Sequence, residues 1–225
     1  MLGGYLDSME QDKTFLGTEP IGKLLMKLAV PTVIAQLVNM LYNIIDRVYI
    51  GHIPGEGSMA LTGVGVCMPL ILIIAAFAAL VGSGGSPRAS IYMGKGEHDT
   101  AEKILTGCLS LQIIVSIILT VILLIWNENL LLMFGASENT ISYATAYMNI
   151  YAIGTIFVQI TLGMNTFITA QGKAITGMMT VLIGAVANII LDPIFIFGMH
   201  MGVRGAALAT VFSQIVSVVV IFSSF

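Results

Sequence analysis

The residues best placed to do chemistry are carboxylates that interrupt long apolar stretches, beginning with Asp192. Asp192 follows Asn188 by four positions in the segment Asn-Ile-Ile-Leu-Asp-Pro, so a helix would place the amide and the carboxylate on one face. Pro193 has no N–H, and its ring disrupts the helical hydrogen bond to the carbonyl of Ile189. An amide, a carboxylate and a freed carbonyl offer oxygen ligands for Na⁺, or a site for a proton.

The position of Asp192 relative to the membrane has two interpretations. Asp192 and Pro193 could end a helix at the outer interface, where the carboxylate stays hydrated. The apolar run continues through residues 194–197, which favours a position inside the bilayer instead. An aspartate at bilayer depth costs roughly 2.5 kcal/mol or more, so its presence there indicates a function.

A polar stripe runs along the first apolar segment at spacings of four, three, four and three: Thr32, Gln36, Asn39, Asn43 and Asp46. These spacings draw one helix face, and we expect it to line a water-filled cavity or other helices rather than lipid. Pro31 offers a hinge at the cytoplasmic end of the same segment. Asp46 lies beside Arg47 and near Gly51, so the alternative of a hydrated Asp46, with Arg47 paired to it or extended to the interface, stays open.

Two later apolar segments carry milder polar residues: Asn165, Thr166, Thr169, Thr210, Ser213, Gln214 and Ser217. Each could simply form a hydrogen bond between helices. Together they favour an aqueous or ion-lined interior.

The sequence does not support a phosphate-binding loop, a metal site or a redox site. Residues 17–24 copy the GxxxxGK pattern of a phosphate-binding loop, but Leu24 replaces the Mg²⁺-binding Ser or Thr and no strand precedes it. The histidines and cysteines lack the spacing of a metal or redox site: His52, His98, His200, Cys67 and Cys108. We therefore expect no enzyme activity, no cofactor and no bound metal beyond Na⁺, so any transport would draw on an ion gradient or on a partner.

The elements that must position these residues are membrane helices. Apolar residues make up 57% of the 225-residue chain, charged residues 9%, and the mean hydropathy is +0.97. Six runs are long enough to span a bilayer: 24–50, 60–83, 104–126, 143–168, 176–197 and 205–225. The chain is thus predicted to be an all-α, six-span membrane protein with the lipid bilayer as partner. The net charge of −3 does not suggest nucleic acid as a partner.

Basic residues set the predicted orientation, because Lys and Arg accumulate in cytoplasmic loops. Most of them lie in the tail or in alternate loops: Lys13, Lys23, Lys27, Arg88, Lys95, Lys103 and Lys173. Residues 1–18 are predicted to be a cytoplasmic tail, since they lack the apolar core of a signal peptide. The longest predicted break between spans is 84–103, and within it residues 87–103 suit a solvated helical linker in which Asp99 and Lys103 can pair.

Several motifs resemble the multidrug and toxic compound extrusion (MATE) family, in order along nearly the whole chain. They comprise Pro31-Thr32, 41–46 with Gly51, 167–172, 188–193 and 205–210. The resemblance implies a cation-coupled antiporter in the cell membrane that exports amphipathic, often cationic drugs, built from two six-helix lobes around a central cavity.

The resemblance also implies roles for particular residues. The cation site of the first lobe would comprise Asp46, Asn188, Asp192 and Thr210, and Pro31 would be a bending point of helix 1. It adds Asn39 and Asn165 as cavity residues, and Gln36 and Asn43 of the polar stripe complete the candidate substrate-contacting set. The family needs about twelve spans, so we expect residues 19–225 to be an N-terminal lobe, truncated after helix 6.

Three functions are consistent with these features. The first is drug:cation antiport with H⁺ or Na⁺, for which this chain supplies the cation-binding lobe and a missing C-terminal lobe supplies the rest. The second is a non-transporting fragment or a half-transporter subunit that needs a second six-helix chain. The third is flipping of a lipid-linked substrate, which predicts a cationic cavity that the sequence does not offer.

Overall fold

The computed structural model describes residues 20–224, and they form six long helices and one π-helical turn. The elements are α1 (Ile21–Gly51), α2 (Gly57–Gly94), α3 (His98–Met133), α4 (Ile141–Ala170), α5 (Ala174–Pro193), the π-helical turn Ile194–Gly198 and α6 (Val203–Phe222). Six helices are long and apolar enough to cross a membrane, with the π-helical turn continuing the fifth. The prediction of an all-α, six-span protein is therefore confirmed, while the predicted tail at residues 1–18 lies outside the described residues.

The predicted break at 84–103 is too long, although the expectation that residues 87–103 are largely helical holds. Helix α2 continues through Pro87 to Gly94, and α3 begins only four residues later at His98. Gly85 makes room for a neighbouring helix inside α2, since a Cβ there would lie 2.8 Å from Cζ of Phe167. A helix that extends beyond the bilayer keeps its own backbone hydrogen bonds, so polar residues do not end it.

The predicted break at 127–142 is also too long. Helix α3 runs on to Met133, with a kink at Trp126, whose φ and ψ are −107° and 16°. Asn127 is buried and donates hydrogen bonds to Asn149 Oδ1 at 2.7 Å and to the carbonyl of Thr145 at 3.3 Å. Its polarity therefore reflects a partner on α4 rather than a loop.

Helix α4 is the centre of the fold. It packs against α2, α3, α5 and α6, whereas α1 packs mainly against α5. The largest core cluster includes Ile50, Cys67, Leu70 and Tyr147, which come from α1, α2 and α4. This arrangement brings α1, α5 and α6, the helices that carry most of the candidate residues, to one side of α4.

Candidate functional site

Two buried carboxylates meet where α1 packs on α5. Asp46 is 8% exposed and Asp192 is fully buried. Their carboxyl groups lie close enough to interact directly. Asn188, one helical turn before Asp192 on α5, is 1% exposed. The structure thus brings Asp46 to Asp192, which lies 146 positions later in the chain and was singled out separately in the sequence.

This cluster contains polar atoms without hydrogen-bond partners. They are Asp46 Oδ1, both carboxylate oxygens of Asp192, and both polar side-chain atoms of Asn188. Two carboxylates cannot form a hydrogen bond with each other unless a proton lies between them, and buried unpaired charge is strongly unfavourable. The donor set suits one proton or one small cation such as Na⁺, because each supplies the positive charge that these oxygens lack.

Tyr147 is the residue through which Thr210 is related to the pair. Thr210 on α6 is half-buried and donates a hydrogen bond to the carbonyl of Ala206 at 3.0 Å. The hydroxyl of Tyr147 on α4 interacts with the Thr210 side chain and lies within electrostatic range of Asp46. Tyr147 was not among the residues predicted from the sequence. The sequence feature that could have indicated it is the pair Tyr147 and Tyr151, four residues apart on one helix face. In the structure the two rings stack with a centroid distance of 6.0 Å.

The π-helical turn sets the approach of α6 to this site. Helix α5 ends at Pro193, and in the following turn the N–H of Met199 donates to the carbonyl of Ile194 at 2.8 Å. A Cβ at Gly205 would lie 2.7 Å from the carbonyl oxygen of Phe195. Only glycine therefore allows α6 to begin against the turn, and Thr210 lies five residues further along α6.

A cavity of about 410 Å³ lies between α1, α4, α5 and α6, and its lining includes neither Asp46 nor Asp192. Its volume is within the range of small-molecule pockets. Its polar lining consists of Thr32, Gln36, Asn39, Tyr42, Thr161, Asn165, Thr166, Thr169, Ser213, Gln214 and Ser217. The lining contains hydroxyls, amides, one phenol and apolar side chains, and none of its residues is charged.

The four predicted substrate-contacting amides are placed differently from one another. Gln36, Asn39 and Asn165 line the cavity, whereas Asn43 is not among the lining residues. Asn43 Nδ2 instead donates to the carbonyl of Asn39 at 2.7 Å. Its position in the stripe indicated the correct side of α1, but its amide turns back onto its own helix.

Asn165 has a structural role that its position in the cavity conceals. Its Nδ2 donates to the carbonyl of Gly177 at 3.1 Å and to Thr180 Oγ1 at 2.8 Å, both on α5. These bonds use both amide hydrogens, so only Oδ1 is left to contact a ligand. Asn165 therefore ties α5 to α4 as well as lining the cavity.

Tyr42 joins the cavity to the carboxylate pair. Its side chain lines the cavity, and it lies within electrostatic range of both Asp46 and Asp192.

Pro31, the predicted bending point, is buried, and α1 runs through it as one helix. The hinge therefore stays a prediction.

The MatE family model matches residues 31–194, well over half of the chain. The chain belongs to the MatE family. Members of this family are transporters, so the expectation of a protein without enzyme activity is confirmed. The matched range includes α2, α3 and α4, most of α1 and the whole of α5, and thus both carboxylates of the pair.

Curated relatives and solved structures agree with this membership. The chain is 29% identical over 210 residues to the multidrug export protein MepA of Staphylococcus haemolyticus, covering 93% of this chain and 46% of the relative. It is 28% identical to the FAD transporter of Shewanella oneidensis, covering 92% and 46%. A crystal structure of MATE in the bent conformation aligns with a TM-score of 0.82 and 29% identity, covering 89% of this chain and 44% of that chain. This MatE chain thus spans a little under half the length of the relatives it matches.

Proposed function

We propose that residues 19–225 form the cation-binding N-terminal lobe of a multidrug:cation antiporter of the cell membrane. The observation that carries this proposal is the buried, unpartnered pair Asp46 and Asp192, which shares Tyr42 with a cavity of drug-binding size. The ion, H⁺ or Na⁺, would bind at Asp46, Asn188, Asp192 and Thr210, and no other cofactor is needed.

The coupling follows from the position of α1. This helix carries Asp46 at one end and the cavity residues Thr32, Gln36 and Asn39 along its length. Ion binding neutralises the contact between α1 and α5, and loss of the ion leaves two facing negative charges that repel. If the ion binds one position of α1 better than another, it shifts the population between them, with Pro31 as the bending point.

The cavity wall suits amphipathic drugs. Hydroxyls and amides can contact polar groups, while side chains such as Leu162, Met178 and Val181 contact apolar rings. The name of the MepA relative, a multidrug export protein, supports drugs as the substrate class. Because the cavity lining has no charged residue, a negative charge to bind a cationic drug would come from the carboxylate pair or from a second lobe.

The complete transporter would need a second six-helix lobe. The chain covers less than half of its relatives, which also favours the second candidate function, a half-transporter subunit that assembles with another chain. In either case we propose a cytoplasmic N-terminus, because Lys95, Lys103 and Lys173 lie at the same side as the start of α1. Flipping of lipid-linked substrates is disfavoured, since the cavity lining contains no basic residue to bind an anionic headgroup.

The test is Asp192→Asn in the complete transporter, reconstituted in proteoliposomes with Na⁺ present or absent at fixed pH. We expect loss of ion-driven drug flux, because an amide removes one charge from the pair while keeping its shape. Asp99→Asn, which changes an exposed carboxylate on α3, is the matched control and should transport normally. Normal ion-driven flux in Asp192→Asn would overturn the proposal.

A further inference from the structure

Within residues 20–224, Arg47 is a charged neighbour of the carboxylate pair that the mechanism above does not use. It follows Asp46 directly on α1 and is partly buried. Its Nη2 donates a hydrogen bond to Sδ of Met68 on α2 at 2.8 Å. A thioether is a weak acceptor, whereas carboxylates are the preferred partners of a guanidinium, which has five N–H donors. Arg47 is thus held on a poor acceptor while Asp46 Oδ1 has no partner.

The charge of Arg47 acts on the pair. Its guanidinium lies within electrostatic range of Asp46. The side chains that face Asp46 from the neighbouring helices are Asp192 on α5 and the neutral phenol Tyr147 on α4. With both carboxylates ionised, Arg47 offsets one of the two negative charges, and a single monovalent cation offsets the other.

We propose that Arg47 is a tethered counter-cation that competes with the transported ion for Asp46. It rests on Met68 when the pair holds its ion, and it turns to Asp46 when the ion leaves, so that each cycle carries one monovalent ion. Arg47 directly follows Asp46 on α1, and its long side chain has several rotatable bonds, so a rotamer change that leaves Met68 can bring its charge closer to Asp46. This inference rests on the proposed antiport function and names the device that sets its ion stoichiometry.

The competition has a measurable size. Coulomb's law at an effective dielectric constant of about 20 gives a roughly tenfold to thirtyfold change in cation affinity for a unit charge on the order of 8–12 Å away. Removing the charge of Arg47 should therefore raise the affinity for the ion by this factor and leave room for a second ion. Removing the sulfur acceptor of Met68 should instead lower the affinity for the ion.

The experiment uses the complete transporter in proteoliposomes. Arg47→Gln, Arg47→Lys and Met68→Leu are compared with the wild type for half-saturating ion concentration, with Na⁺ and with H⁺ as the probe. The ion:drug ratio is taken from the ion gradient at which net drug flux stops. Arg204→Gln, at an exposed arginine of α6, is the matched control and should match the wild type.

We expect a ratio of one in the wild type and in Arg47→Lys. In Arg47→Gln we expect a ratio of two, or a half-saturating concentration at least tenfold lower. Met68→Leu should keep a ratio of one with a severalfold higher half-saturating concentration, since Arg47 then spends more time on Asp46. A wild-type ratio and affinity in folded Arg47→Gln would overturn the inference.

Two further outcomes keep the test decisive. If Arg47→Gln does not fold, Met68→Leu decides, and an unchanged half-saturating concentration overturns the inference. Failure of the antiport function looks different: the wild type would then show no ion-driven drug flux, or Asp192→Asn would leave that flux intact. A third pattern refutes the role of Arg47 alone. In that pattern Asp192→Asn abolishes the ion-driven flux, while Arg47→Gln and Met68→Leu both leave it unchanged.

Discussion

Gly163→Ala should destabilise the central packing of the lobe through a single neighbour, Gln112. A Cβ at Gly163 would overlap the Gln112 amide and lie 2.6 Å from its Oε1. Gln112 is fully buried on α3, and its Nε2 donates to the carbonyl of Ala78 on α2 at 3.4 Å. Because Gly163 on α4 has no side chain, the Gln112 amide of α3 fits against it and reaches the carbonyl of Ala78 on α2.

The magnitude has two contributions. Overpacking of a well-packed interior costs about 1–3 kcal/mol. Displacing the Gln112 amide from its acceptor adds about 1 kcal/mol for a buried hydrogen bond. We therefore expect Gly163→Ala to lower the free energy of unfolding by about 2–4 kcal/mol.

The measurement is unfolding of the purified protein in detergent with increasing SDS, followed by the fluorescence of Trp126, the single tryptophan of this chain. Gly107→Ala is the matched control, because a Cβ at that helical glycine has no atom within 4 Å. It should change stability by no more than about 1 kcal/mol.

A double mutant separates the contact with Gln112 from other causes. In a Gln112→Ala background the overlapping amide is absent, so Gly163→Ala should cost less than about 1 kcal/mol there. The reasoning is refuted if Gly163→Ala costs as much in that background as in the wild type. It is also refuted if Gly163→Ala costs no more than Gly107→Ala.

Two further predictions follow. Tyr147→Phe removes a hydroxyl that lies within electrostatic range of Asp46, so the half-saturating ion concentration of the complete transporter should rise by up to about tenfold, the size of one hydrogen bond; an unchanged value would exclude the phenol from the site. Gly205→Ala places a Cβ 2.7 Å from the carbonyl oxygen of Phe195 and should destabilise the protein by about 1–3 kcal/mol. Gly65→Ala, where nothing lies within 4 Å, is its control, and equal unfolding curves would contradict the close approach of α6.

The candidate site shows which of its features are readable from a sequence. Asn188 and Asp192 share a helix face because they are four residues apart, and Asp192 stands out because a carboxylate in an apolar run is costly. Tyr147 did not stand out, since a tyrosine in a membrane helix is unremarkable until Thr210 and Asp46 are found beside it. Its role depends on contacts between three helices that no local pattern encodes.

Glycines show the same limit in the fold. Gly85 lies just beyond the predicted end of the second span at residue 83, and glycine is common both in turns and at helix contacts. In the structure it lies inside α2 against Phe167. Asn127 was misassigned for the same reason, since its partner Asn149 lies on another helix.

The sequence by itself determined the number of membrane helices, the helix face of Asn188 and Asp192, and the polar stripe of α1. These are local properties, because they follow from the length of apolar runs and from a period of 3.6 residues. Only the tertiary structure decided that Asp46 meets Asp192, that Asn43 turns away from the cavity, and that Arg47 rests on Met68. Those facts depend on how α1 packs against α5 and α2, and packing between distant segments is set by the shapes of all the helices together.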